Sequence, residues 1–313
     1  MTVQGRTLDF SRRRPGVATV GGVAVYRLQL AIGGTGLAAA AGALGLGVSA
    51  VRVAPADAHR LSVGGLRFTY PALNVAAGVL LAFAALGAAV LVVIARATIR
   101  HLRAHHRLVG ALPVVGAHRD ATVVEAREPL AFCAGWLRPR IFVSRAAVER
   151  LSEAELEAVL AHERHHRARR DPLRLAVGRI LSHALFFLPV LRPLQARHGD
   201  VAELRADAAA VAAVAAAPLA SALLMLGATG DGVVGVSPER VDQLLGQAPA
   251  WRPPWLLLAF ALATLAGVVA LLWRVSGSAS IAATLSISSQ PCVLVLALVP
   301  VVAALAGCIY DKT

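Results

Sequence analysis

The sequence predicts a mainly α-helical integral membrane protein with about four transmembrane helices and an α+β domain at the cytoplasmic face. Three observations predict it. The 313-residue chain is 57% hydrophobic with a mean hydropathy of +0.66, above the apolar share of an ordinary soluble domain, which is about half. Four stretches, 28–51, 72–95, 254–273 and 291–310, carry no charged residue and reach the roughly 20 residues that a spanning helix needs. Between the second and third lies a long segment of mixed composition, 96–253, that holds most of the acidic residues.

Taken in order, residues 1–27 are polar and basic ("QGRTLDFSRRRPG") and are expected to be a cytoplasmic segment. The apolar run that follows is too long for the h-region of a signal peptide. Residues 28–95 then form a transmembrane hairpin around the loop "RVAPADAHRLSVGGLRFTYP", and 254–310 form a second one around "RVSGSASIAATLSISSQ". Arg12, Arg13, Arg14 and Arg27 precede the first span, and Arg96, Arg100, Arg103 and Arg107 follow the second. Arginine-rich flanks stay on the cytoplasmic side, which puts the N-terminus, 96–253 and the tail inside. The protein is thus expected in the cell membrane as a multi-pass protein.

Two stretches within 96–253 bear on the span count. "ILSHALFFLPVL" (180–191) has 12 residues with Pro189 inside, and fits a buried, interfacial or re-entrant element better than a span. "AAAVAAVAAAPLASALLMLGA" (208–228) is long enough but dominated by alanine, a strong helix former and a weak membrane inserter. It reads as a packed helix.

The net charge of +13 rests almost wholly on arginine, with Lys312 the single lysine. With spanning runs present, the bilayer is the simpler partner for that charge, and no nucleic acid is expected. The cysteines 133, 292 and 308 form no CxxC pair, and two of them share one apolar run. A disulfide framework is not expected.

The chemistry concentrates in "LAHERHHRARRDPLR". Ser152-Glu153-Ala154-Glu155 has the form of a capping box, Leu156, Val159 and Leu160 give a buried face, and Asp171-Pro172 ends the helix. His162 and His166, four residues apart, project from one side, a spacing at which two neutral imidazoles bind one Zn²⁺. Glu163 stands next to that line and can act as general base toward the attacking water. Zinc wants a third protein ligand, and "DVAELRADAAA" offers Glu203. Asp207, one turn later, is placed to accept the free ring N–H of a liganding histidine. Arg205 and His198 are the candidates for stabilising an oxyanion.

Upstream, β-branched residues at 121–126 and 140–144 with Gly135 and Pro139 between them suggest a short antiparallel hairpin. Arg140, Ile141, Phe142 and Val143 are the candidate edge strand for an extended peptide, or else a plain packing strand. Cys133 reads as a buried small hydrophobe.

"AFCAGWLRPRIFVSRAAVERLSEAELEAVLAHERHHRARRDPL", then "FFLPVLRPL" and "ELRAD", resembles the BlaR/MecR-type membrane zinc peptidases over about residues 108–245. The HtpX and CAAX-protease group shares the HExxH and ExxAD forms. The resemblance implies a gluzincin endopeptidase with a zincin-like catalytic domain at the cytoplasmic face. His162, His166 and Glu203 would be the zinc ligands, Glu163 the base and Asp207 the supporting acid, with a protein or peptide substrate. The antibiotic-sensing receptors carry a large extracellular sensor after their last helix. Here the sequence runs only three residues past its last apolar stretch, and the resemblance carries no inference of β-lactam sensing. The rival reading is a membrane signalling or scaffold protein whose zinc is structural.

Overall fold

The computed structural model describes residues 18–53, 59–63, 66–70, 72–73, 75–227, 238–244, 251–276 and 281–283. In chain order these form α1 (Ala18–Ala50), β1 (Val51–Val53), β2 (His59–Val63), β3 (Leu66–Tyr70), β4 (Ala72–Leu73), α2 (Val75–Ala111), β5 (Val114–His118), β6 (Ala121–Val124), β7 (Ala131–Ala134) and β8 (Arg140–Ser144). Then follow α3 (Arg145–Arg150), α4 (Glu153–Arg169), α5 (Asp171–Ala184), α6 (Leu191–Ala213), α7 (Ala216–Gly227), α8 (Pro238–Leu244), α9 (Trp255–Ser276) and β9 (Ile281–Ala283). The protein is mainly helical. As far as the described residues go, it divides into two compact units.

One unit is drawn from Leu30–Arg100, Ile180–Leu191 and Pro254–Thr313. Among the described residues three helices are long and apolar enough to cross a membrane: Ala24–Ser49, Val75–Ala111 and Trp255–Ser276. They coincide with three of the four expected spans, and the fourth, 291–310, lies outside the described residues. Ala43 of α1, Leu80 of α2 and Leu272 and Val275 of α9 form one buried cluster. Short strands add two small sheets: β9 pairs with β1 in parallel and with β4 antiparallel, and β2 pairs antiparallel with β3. The stretch 180–191 is no helix of its own, for α5 ends at Ala184 and α6 begins at Leu191. Leu185 and Leu188 are buried against Gly36 of α1, while Phe186 is 62% exposed.

The other unit is drawn from Met1–Gln29, His101–Arg179 and Arg192–Pro253. Its sheet has the order β5-β6-β8-β7. The expected β6–β8 hairpin is corrected here: the two strands run parallel, Ala121 facing Ile141 and Val124 facing Ser144, and it is β7 that makes the antiparallel hairpin with β8. Gly135 at φ +126° opens the connection, a backbone state that a Cβ disfavours. Strand β8, expected as an edge, is interior. Ile141, Phe142 and Val143 are all buried, and such an uninterrupted apolar run fits a strand covered on both faces.

One sheet face packs on α4 through Val123, Ile141 and Val143 against Leu156, Val159 and Leu160. The far side of α4 meets α6 and α7 through Ala158, Ala210, Leu219 and Leu223. The alanine-rich stretch 208–228 is likewise two helices rather than one, because α6 stops at Ala213 and Pro218 falls in the first turn of α7. Proline lacks the N–H that an interior position needs but is tolerated in a first turn.

Helices α1, α5 and α6 share a buried amide contact in which Gln29 Nε2 donates to Gln195 Oε1 at 2.9 Å, and Gln29 is fully buried. A Cβ on Gly178 would stand 1.8 Å from Gln195 Oε1 and 2.7 Å from Gln29 Nε2. Gly178→Ala is therefore expected to destabilise by about 1–3 kcal/mol from overpacking and a broken buried hydrogen bond. The gain of about 1 kcal/mol in helix propensity offsets only part of that. Thermal unfolding of the detergent-solubilised protein reads the difference.

Candidate metal centre

Helix α4 is delimited by its own sequence. Ser152 accepts from the Glu155 amide, and Glu155 accepts from the Ser152 amide at 2.7 Å, which completes the expected capping box. Arg170, left-handed at φ 53°, ends the helix and turns the chain into α5 with Asp171 at its first position. Between these ends His162, Glu163 and His166 are each only 8% exposed.

The two imidazoles converge. His162 Nε2 and His166 Nε2 lie 3.0 Å apart. Glu203 of α6 brings Oε2 to 3.5 Å from His162 Nε2 and Oε1 to 3.6 Å from His166 Nε2. Among the described residues these three are the one group of His, Cys, Asp and Glu side chains whose donor atoms could hold an ion together. A tetrahedral ion with bonds of about 2.0–2.1 Å separates its ligand atoms by roughly 3.3 Å, and the three observed separations bracket that value. Two nitrogens and a carboxylate oxygen are a donor set that suits zinc.

Each ring turns its other nitrogen to a carboxylate. His162 Nδ1 stands 3.0 Å from Asp207 Oδ1, and His166 Nδ1 stands 3.0 Å from Asp171 Oδ2. A carboxylate there keeps the proton on Nδ1 and aims the Nε2 lone pair at the shared centre. Asp207 in turn receives a two-pronged bond from Arg240 of α8, with Nε and one terminal nitrogen each 2.7 Å from a carboxylate oxygen.

The charges agree with a cation-seeking site. Burial opposes protonation of His162, but the carboxylates of Asp207, Glu203 and Glu163 outweigh it and push the imidazole up to about 9. Burial raises Glu163 above the usual carboxylate range. Glu203 is held below that range, because the two histidines and Arg240 outweigh its burial. Cys133 is pushed up to about 12, by burial first and then by the Glu163 charge, so it stays a neutral thiol.

The residues border a cavity of about 720 Å³. Its walls include Pro129 through Trp136, the edge strand β7 with its two flanks, and His162, Glu163, His166, Glu203 and Arg240. The Cys133 amide hydrogen-bonds the Glu163 carboxylate, which holds Glu163 against the edge strand. Of the expected site residues, the structure gathers His162, Glu163, His166, Glu203 and Asp207. It does not bring Arg140, Ile141, Phe142 and Val143 to the cavity, whose strand is β7. Nor do Arg205 and His198 line it, and His198 stacks on Tyr26 at 4.7 Å between centroids.

Sequence reasoning missed two residues. Asp171 was legible only as the end of a helix, although its place five residues after His166 was a usable signal once the left-handed turn was allowed for. Arg240 gave no signal, being one arginine in a chain of 31 basic residues.

Helices long and apolar enough to cross a membrane and a His-His-Glu group that could hold a metal ion are the two features a membrane metallopeptidase would need. A family model, BlaR1 peptidase M56, matches residues 68–229, just over half of the chain, and the protein belongs to that family. The match takes in both histidines, Glu163, Glu203 and Asp207, while Arg240 lies beyond it. No curated protein and no solved structure matches the chain.

Proposed function

We propose that the protein is a zinc-dependent endopeptidase of the cell membrane that cleaves membrane-associated or cytosolic proteins. In this reading residues 96–253 form the peptidase domain at the cytoplasmic face, between transmembrane hairpins at 28–95 and 254–310. The observation that carries the proposal is the convergence of His162, His166 and Glu203 beside a buried Glu163, in a cavity bordered by a sheet edge.

His162, His166 and Glu203 would hold the ion, which when bound supplies a Lewis acid that polarises the scissile carbonyl and eases deprotonation of water. Glu163 takes the proton from the attacking water and returns it to the leaving amine. Its raised affinity for protons, which comes from burial, suits a group that must both accept and release one. Asp207 and Asp171 hold the two rings in the tautomer that leaves Nε2 free. Strand β7 offers its open edge to an extended peptide, whose backbone would pair there by β-augmentation, next to the carboxylate that the Cys133 amide fixes.

The test uses the full-length protein in detergent micelles. Cleavage of casein or of the chain itself is expected, to be lost on chelation and restored by added zinc. Zinc-loaded protein that cleaves nothing would leave the structural-zinc scaffold in its place.

A further inference from the structure

We propose that Arg240 is a positioning residue for the metal centre: its guanidinium fixes Asp207 and Glu203 together in the orientation that binds the ion. The inference rests on the zinc reading above and adds to it a residue outside the HExxH and ExxxD motifs.

Asp207 is 1% exposed and Arg240 is 3% exposed. A carboxylate buried to that degree is costly unless it is paired and hydrogen-bonded. His162 Nδ1 stands 3.0 Å from one of its oxygens and cannot fix the plane of the group. The planar fork of Arg240 does, with two bonds of 2.7 Å to the two oxygens, the geometry in which arginine binds a carboxylate most rigidly. The third guanidinium nitrogen lies 3.4 Å from Glu203 Oε2. That contact is longer than the pair on Asp207, and the same Glu203 oxygen lies 3.5 Å from His162 Nε2, so one carboxylate faces both the guanidinium and the histidine. One side chain thus spans a candidate ligand and the support of another.

Helix α8 is docked as if for this purpose. Glu239 pairs with Arg197, and Gln243 Nε2 donates to the Leu204 carbonyl at 2.7 Å. These contacts bracket Arg240 on both sides and tie α8 to α6 at Arg197, before the site, and at Leu204, next to Glu203. Charge balance points the same way. Glu163, Asp207 and Asp171 are buried with the partly exposed Glu203 beside them, and Arg240 lines the cavity while touching Asp207 and Glu203.

The experiment measures zinc affinity of the full-length protein by competition with a chromophoric chelator, for wild type, Arg240→Ala, Arg240→Lys, Asp207→Ala and the Arg240→Ala/Asp207→Ala double variant. Arg240→Ala is expected to bind zinc about 10–100-fold more weakly, the range for loss of a residue that orients a ligand. Arg240→Lys should fall between, since an ammonium keeps the charge without the fork. In the Asp207→Ala background, removal of Arg240 should cost a distinctly smaller factor, because its route through Asp207 is already gone. Equal factors in the two backgrounds, or wild-type affinity in Arg240→Ala, would overturn the proposal. A general loss of stability would not produce that pattern, and if Arg240→Ala fails to fold, Arg240→Lys is read by the same criteria. A wild type that binds no zinc defeats the zinc reading itself, whereas tight wild-type binding with unaffected Arg240 variants defeats only the role of Arg240.

Discussion

Glu163→Gln is expected to retain its zinc and to lose about three to four orders of magnitude in cleavage rate. Positioned proton transfer contributes up to about 10⁴-fold, equivalent to roughly 5.5 kcal/mol of barrier. Glutamine keeps the size of the side chain and an oxygen to accept from the Cys133 amide, so the cavity wall stays as it is. It cannot take a proton from water. Glu163 is not among the three converging donors, and for that reason metal content should hold at one per chain. The measurement pairs elemental analysis with the cleavage assay on the same preparation. Loss of zinc together with activity would place Glu163 among the ligands instead, and full activity would remove it from the chemistry.

Glu203→Ala is expected to do the reverse and empty the site. Without that carboxylate two imidazoles would remain as donors, and the Arg240 nitrogen near Glu203 would lose one of its partners. Zinc affinity should fall well beyond the 10–100-fold that marks a supporting residue, and cleavage should disappear with the metal. Asp207→Ala provides the internal scale. If the account holds, the order of damage to metal binding is Glu203 first and Asp207 second, because one side chain faces the centre and the other faces a histidine's outer nitrogen and the Arg240 fork. Equal losses would contradict the division between ligand and support. Titration with a chelator of known affinity reads both variants.

What could be seen in the sequence follows from the range of the interactions involved. The capping box at Ser152 and Glu155, the shared face of His162 and His166, and the single-turn step from Glu203 to Asp207 are all properties of one helix, where spacing fixes direction. The three described helices of spanning length were legible for the same reason, since length and apolar composition suffice. Strand pairing was not legible. The short β7, "AFCA", carries no alternation of its own, and β6 and β8 pair in parallel across it, a partnership set by tertiary contacts. The buried run Ile141-Phe142-Val143 was the available sign that β8 lies inside the sheet. Pro218 shows the same limit within a helix: its place in a first turn or a middle turn depends on where the preceding helix stops. Asp171, legible only as part of a helix end, in fact opens α5 just past the Arg170 cap and meets His166 in space. Arg240 lies 33 residues beyond Asp207, and only folding brings the two together.

The central claim is that two imidazoles and the Glu203 carboxylate share one ion. Zinc K-edge X-ray absorption on the purified, zinc-loaded full-length protein tests it most directly. The account predicts a first shell of nitrogen and oxygen at about 2.0–2.2 Å, with outer-shell scattering from two imidazoles that vanishes in His162→Ala/His166→Ala. A sulfur shell near 2.3 Å, or a spectrum unchanged in that double variant, would contradict it.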